Sequence, residues 1–318
     1  MPFDRDKFRD EYPWESRWFQ RQDLAMHYVD EGEGDPVVFV HGNPTWSFYF
    51  RKLIADLSAS FRTVAPDHIG MGLSDKPGDD RYSYCLASRV DDLEALLDHI
   101  GVDRDITLVL HDWGGMVGLA YAERHPERVR RVVLLNTAGF LLPQGRSLPW
   151  QLKLIKGFPM AFAVRGLNAF SRGAVWTCST RKGRMNARLK EAYLSPYDSW
   201  AHRIAVHRFV QDIPLGPGDP SYAQVRAVED SLERLRDLPV QIFWGERDFV
   251  FDMHFLAEWR RRLPEADYHT FADCGHYVLE DAHEEIVPLL RGFLEENPLS
   301  PAPGLGEGGD ASVTGVVS

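Results

Sequence analysis

The sequence predicts an α/β fold: a mostly parallel sheet with helices on both faces and a helical cap inserted late in the chain. Three observations lead there. Apolar runs of strand length alternate with stretches of helical spacing through residues 22–138 and again through 237–297. The strand runs are almost continuously apolar, as in parallel strands covered on both faces. Between Gly139 and Arg236 that rhythm stops, and helical segments and loops follow one another without a convincing strand.

Taken in order, residues 1–21 are polar and aromatic and read as an extension wrapped over the surface. Ala25–Val29 reads as the first strand, and Glu31-Gly32-Glu33-Gly34-Asp35 as the hairpin turn that follows it. Pro36–Val40 is a buried strand ending at His41-Gly42-Asn43-Pro44, with a helix predicted from Phe48 to Leu57. Phe61–Pro66 is the next strand. Leu86, Val90, Leu93, Leu96 and Leu97 share one face of a helix over Leu86–Ile100. Thr107–Leu110 and Val129–Leu135 are further buried strands, separated by a helix that begins at Met116. The cap, 139–236, is rich in aromatics such as Trp150, Phe158, Phe170, Trp176 and Trp200. Strands resume at Pro239–Gly245 and Ala266–Phe271, with helices over Met253–Arg262 and Glu284–Glu296. Residues 298–318, rich in Pro, Gly and Ser, read as a disordered tail.

Of the 318 residues 44% are hydrophobic, which is enough for a full core, and the formal net charge is -11. An acidic chain whose longest basic run is Arg181-Lys182-Gly183-Arg184 is not built to attract phosphate, so nucleic-acid binding is excluded. Three scattered cysteines, Cys85, Cys178 and Cys274, form neither a disulfide framework nor a zinc site and point to reduced thiols in the cytoplasm. There is no leader-like apolar run at the start and no membrane-spanning stretch. No metal or organic cofactor is implied: ligand-spaced His/Cys clusters and phosphate-binding glycine loops are both lacking.

The chemistry centres on Leu110-His111-Asp112-Trp113-Gly114, between a buried strand and a helix. A reactive side chain at such an apex forms a nucleophile elbow, generally G-x-S-x-G. Here Leu110 takes the place of the first glycine, Asp112 that of the serine, and Gly114 is kept. A carboxylate is ionised at neutral pH and attacks without a base, leaving an ester. An aspartate before a helix also serves as an ordinary N-cap; what favours catalysis is the company it keeps. His276 follows the last strand in Asp273-Cys274-Gly275-His276-Tyr277, where an imidazole can act as base. Asp248 follows the preceding strand and is the candidate acid that orients it, with Glu246, nearer the strand end, as the alternative. Asn43 follows an earlier strand, where its amide can donate to a developing anion. Trp113 adds a donor-only indole N–H beside the nucleophile, suited to a halide or a carboxylate oxygen. All five fall at carboxyl ends of strands, where such sheets carry their sites.

His41-Gly42-Asn43-Pro44-Thr45-Trp46-Ser47, Asp67-His68-Ile69-Gly70-Met71-Gly72-Leu73-Ser74-Asp75-Lys76-Pro77 and His111-Asp112-Trp113-Gly114-Gly115 resemble the haloalkane dehalogenase family of α/β-hydrolases over about residues 20–297. In one branch of that family the acid lies after the strand that here ends Leu135-Asn136-Thr137-Ala138. No carboxylate stands there, so the role falls to Asp248. Within the family, passages such as Leu167-Asn168-Ala169-Phe170-Ser171-Arg172-Gly173-Ala174, Phe209-Val210-Gln211-Asp212-Ile213-Pro214-Leu215 and Arg247-Asp248-Phe249-Val250-Phe251-Asp252 resemble the subgroup containing the β-lactone decarboxylases of bacterial olefin biosynthesis. The resemblance implies that Asp112 and His276 are needed to open a cis-dialkyl β-lactone and give a cis-alkene and CO2, with Asn43 and Trp113 holding the lactone oxygens. It also implies work beside the enzymes that make the lactone. The alternative is a dehalogenase, in which Asp112 displaces halide onto Asn43 and Trp113 and His276 activates water against the ester. An epoxide hydrolase would need a cap hydroxyl such as Tyr193 or Tyr197, and a non-catalytic ligand receptor would be expected to carry a broken triad.

Overall fold

The computed structural model describes residues 5–156 and 160–299. Most of the expected tail, from residue 300 onward, and Phe158 of the cap lie outside the described residues. Eight strands form one sheet: β1 (Arg17–Arg21), β2 (Leu24–Glu31), β3 (Pro36–Val40), β4 (Arg62–Pro66), β5 (Ile106–Asp112), β6 (Val129–Thr137), β7 (Val240–Gly245) and β8 (Asp267–Phe271). Their order is β1-β2-β4-β3-β5-β6-β7-β8. Only the β1–β2 and β2–β4 pairs are antiparallel. The interior strands are apolar and fully buried, as in Val37–Val40 and Leu108–Leu110, because helices cover both faces.

Two corrections to the sequence reading lie at the antiparallel end. The Gly32–Gly34 turn does not make a hairpin: β2 pairs with β4, and β4 separates it from β3. Gly32 (φ +80) is needed because a Cβ there would sit 2.3 Å from the Phe61 and Ser58 carbonyl oxygens, which lie just before β4. The extension is also more than a surface wrap, since Arg17–Arg21 pairs with Leu24–Tyr28 as an edge strand.

Helices α1 (Arg51–Leu57), α2 (Leu86–His99) and α3 (Trp113–Arg124) alternate with these strands. A helical stretch follows between β6 and β7: α4 (Trp150–Lys156), α5 (Ala169–Thr177), α6 (Ala187–Leu194), α7 (Ile204–Gln211) and α8 (Tyr222–Ser231). No strand interrupts it among the described residues. Helix α9 (Met253–Arg262) joins β7 to β8, and α10 (Val278–Glu296) closes the fold. This last helix starts a turn and a half before the expected Glu284 and is kinked at Ala282. A buried hydrogen bond to an ion pair and a second buried ion pair tie the helical stretch to the sheet layer. Arg51 grips Glu280 in a fork (2.5 and 2.8 Å), and Glu280 also takes the Tyr193 hydroxyl. Arg89 reaches Asp212 at 3.0 Å.

Candidate active site

Asp112 ends β5 and caps α3 with φ +53, a left-handed backbone that non-glycine residues avoid. The close packing behind it explains the glycines. A Cβ on Gly114 would lie 1.9 Å from the Val40 carbonyl oxygen, and one on Gly115 would lie 1.9 Å from Thr137 Oγ1. Helix α3 therefore begins at Trp113, a turn before Met116: the glycine pair gives room for close packing rather than breaking the helix. The main-chain N–H of Asn43 donates to Asp112 Oδ1 at 2.6 Å, and the Thr137 hydroxyl donates to the Asp112 carbonyl.

The structure brings His276 and Asp248 to this elbow. His276 Nε2 lies 3.5 Å from Asp112 Oδ2, and its Nδ1 lies 2.7 Å from Asp248 Oδ2. All three side chains are buried. Asp248 Oδ1 accepts from the main-chain N–H groups of Val250 and Phe251 at 2.7 and 3.1 Å. The geometry thus selects Asp248 over Glu246 as the partner of His276. Burial alone would lower the His276 pKa. The Asp248 charge and the hydrogen bonds to both carboxylates override that and raise it to about 10. Burial opposes ionisation of Asp112, yet its hydrogen bond to His276 and the His276 charge hold its carboxyl below the ordinary range. At neutral pH the resting site is therefore a cation between two carboxylates.

Asn43 is placed differently from its expected role. Its main chain, not its side chain, contacts the nucleophile, and its Nδ2 donates to the Val206 carbonyl of α7 at 3.0 Å. Trp113 lines the cavity, and its indole N–H donates to no protein acceptor among the described residues. Tyr193 and Tyr197 do not reach the cavity. Tyr193 is committed to Glu280, and Tyr197 donates to the Thr45 carbonyl at 3.2 Å. The two hydroxyls named for an epoxide hydrolase are therefore engaged elsewhere.

Three supporting residues escaped sequence reasoning. Asn136, at the end of β6, donates to Asp248 Oδ2 at 3.0 Å and accepts from the Gly245 N–H at 2.8 Å, which pins the β7 loop that carries Asp248. His111 donates from Nε2 to the His276 carbonyl at 2.9 Å; burial lowers its pKa to about 3, so it stays neutral. Asp281 accepts from the Gly275 N–H at 2.8 Å and from the chain at Thr180, fastening the His276 loop to the end of α5. Position offered a signal for His111, which adjoins Asp112, and for Asn136, near the end of β6; Asp281, inside α10, offered none.

Above Asp112 lies a cavity of about 410 Å³. Phe140, Leu152, Phe170, Val210, Phe251 and Phe255 give it an apolar wall, and Asp112, Trp113, Asn43 and His276 form its polar floor.

A family model described as the α/β-hydrolase fold matches residues 35–283. The chain belongs to that α/β-hydrolase family. Among its relatives are two proteins named cis-3-alkyl-4-alkyloxetan-2-one decarboxylase. One, from Shewanella oneidensis, is 49% identical over 285 residues, 89% of each chain. The other, from Xanthomonas campestris pv. campestris, is 48% identical over 88% of this chain and 95% of its own. Haloalkane dehalogenase 2 of Mycobacterium tuberculosis is 31% identical over 88% of this chain and 94% of its own. A crystal structure of a mutant of the haloalkane dehalogenase DatA from Agrobacterium tumefaciens superposes with a TM-score of 0.78 at 26% identity, covering 91% of this chain and 99% of its own. Within the α/β-hydrolases this chain is thus similar to decarboxylases first and to dehalogenases at a greater distance.

Proposed function

We propose that this protein is a β-lactone decarboxylase that converts a cis-3-alkyl-4-alkyloxetan-2-one to a cis-alkene and CO2. The observation that carries this reading is that relatives named for this reaction share nearly half its residues along almost the whole chain. The site supports it with a preformed carboxylate nucleophile on the floor of an apolar cavity. Burying the two alkyl chains there contributes roughly 0.8 kcal/mol per methylene.

In the route we propose, an Asp112 oxygen attacks ring carbon C4 from the side opposite the ring oxygen. The C4–O bond breaks, an ester forms on Asp112, and the lactone carbonyl becomes a free carboxylate. Inversion at C4 sets the new C4–O bond anti to the C3–carboxylate bond while the alkyl groups stay on one side. The C3–carboxylate bond then breaks, its electron pair forms the double bond, and the C4–O bond returns its pair to Asp112. CO2 and a cis-alkene leave, and neither water nor a proton is consumed. The His276 imidazolium, held by Asp248, stabilises the charge returning to Asp112. In this route Trp113, which lines the cavity, holds through its N–H the carboxylate released from the ring.

Dehalogenation is the second reading, favoured by the unengaged Trp113 N–H and the similarity to DatA. There the ester is hydrolysed, and His276 serves as base once esterification has removed one of its two flanking charges. We further propose a cytoplasmic role in long-chain olefin formation beside the enzymes that supply the lactone. A paired assay decides between the chemistries. Rapid cis-alkene formation from a long-chain cis-β-lactone, with slow bromide release from 1-bromoalkanes, is expected. Rapid bromide release with an untouched lactone makes the protein a dehalogenase.

A further inference from the structure

The helical stretch over the site is built unlike the rest of the chain. Residues 139–213 hold twelve Lys and Arg against three Asp and Glu, in a protein of net charge -11. Several of these cations bind carboxylates of the sheet layer, as Arg181 does Asp273 and Arg184 does Glu284. Lys153, Arg165, Arg172, Lys190 and Arg203 make no ion pair among the described residues. Glu191 and Asp198, the carboxylates near them, are matched by Lys7 and His202.

Large apolar side chains stand among those cations. Trp150 is 70% exposed, Trp176 70% and Phe162 66%, with Trp200, Leu154 and Leu167 about half exposed. Single exposed apolar residues are ordinary; a group of this size, interleaved with unpaired cations, is not. Lys190 lies 3.1 Å over the Trp176 ring and Arg165 lies 4.8 Å from that of Trp200. Around α5 and α6 the patch is continuous. One shallow depression joins Leu167, Arg172 and Arg203, and the next joins Arg172, Trp176 and Lys190.

The patch also borders the mouth of the cavity. Gln151 on α4, Ala169, Gly173 and Thr177 on α5, and Phe249 in the loop after β7 line the cavity and are themselves exposed, so α4, α5 and that loop border its opening. Trp150, Lys153 and Leu154 project from the outer side of α4, and Arg172 and Trp176 from that of α5. Basic side chains interleaved with Trp and Phe are the composition that lies in the headgroup layer of an anionic bilayer. We propose that this face docks on an anionic lipid surface, so that an apolar substrate enters from the lipid and an apolar product returns to it. No helix is long and apolar enough to cross a membrane among the described residues, so the contact is peripheral. Charge selects the occupant: an anionic surface complements the unpaired cations, whereas a second copy of this acidic chain would bring the same basic face against itself.

The test is sedimentation of the full chain with vesicles, which requires no turnover and stands whichever reaction the site performs. Wild-type protein should sediment with phosphatidylcholine–phosphatidylglycerol vesicles at low salt, remain free with phosphatidylcholine alone, and be released as salt is raised. Each surface cation contributes about fivefold to such partitioning. Lys153→Glu with Arg172→Glu should therefore lower it by at least about twenty-five-fold. Trp150→Ala with Trp176→Ala should abolish binding at intermediate salt without moving the thermal midpoint. No sedimentation of wild type, equal sedimentation with neutral vesicles, or variants that bind like wild type would each overturn the proposal. So would capture of a soluble acidic protein by this face while vesicles are ignored.

Discussion

Replacing Asp248 by Asn removes one charge and no volume. Its consequence follows from the hydrogen bonds that Asp248 makes. The Val250 and Phe251 N–H groups need an acceptor at the Oδ1 position. The new amide oxygen stays with them, and the new NH2 replaces Oδ2. That NH2 meets the Asn136 NH2, a donor against a donor, and it faces His276 Nδ1. The imidazole must then accept at Nδ1 and keep its proton on Nε2, so it is neutral. The largest of the influences that raised the His276 pKa to about 10 is gone; Asp112 still favours the cation, but burial now pulls the pKa down from about 10. The sign is fixed: a raised histidine pKa means the cation is present below the folded pKa and lost above it. Wild-type alkene formation should hold to high pH and fall near 10. An imidazole at the ordinary histidine value of about 6.5 is only about 3% protonated at pH 8, so the loss can reach about thirtyfold, and misorientation adds to it. The assay is kcat for alkene formation between pH 6 and 10.5. An Asp248→Asn enzyme that keeps its alkaline limb near 10 refutes the role of Asp248, and a rate that climbs with pH in wild type refutes the imidazolium.

Asp112→Ala should abolish turnover of lactone and bromoalkane alike with the fold retained by circular dichroism; normal turnover would remove Asp112 as nucleophile. His276→Phe should let a bromoalkane esterify Asp112 and leave the ester unhydrolysed. Intact-mass spectrometry should show the alkyl adduct, and its absence counts against water attack as the second step. Arg51→Met strands the buried Glu280 carboxylate, which then keeps only Tyr193. It should cost about 3–5 kcal/mol in chemical denaturation, and a change within about 1 kcal/mol would show the pair to be dispensable.

The interior of the sheet was legible because its strands are apolar on both faces and its helices are not. Residues such as Val37–Val40 and Val132–Leu135 announce themselves. The antiparallel end was harder. Arg17–Arg21 is an edge strand, mostly exposed, with no apolar alternation to mark it. The Gly32–Gly34 turn says that the chain reverses but not that β4 will lie between the strands it joins. Asp112, His276 and Asp248 could be placed because each follows a strand. Asn136 and Asp281 could not: their partners are main-chain and side-chain groups up to 112 residues away, and a lone asparagine or aspartate carries no sign of such a partner. For Asn43 the direction of the side-chain amide was not legible, since the tertiary contact with Val206 decides where it turns.

In the proposed routes the same three side chains serve two reactions because the fate of the ester depends on the charge around His276. An alkyl ester formed from a haloalkane removes the Asp112 charge and leaves only Asp248 to hold the proton. Burial then works against the imidazolium. The ring can become neutral and activate water, and hydrolysis follows. An ester formed from a β-lactone carries its own new carboxylate on the neighbouring carbon. That anion replaces the charge lost from Asp112, keeps His276 protonated and so deprives water of its base. It also supplies the electron pair that expels the Asp112 carboxylate. A cavity wall of Phe and Leu favours this step further, since CO2 leaves a carboxylate more readily where the anion is poorly solvated. On this argument the enzyme needs no residue absent from a dehalogenase. The ring-opened substrate brings the group that turns hydrolysis into elimination.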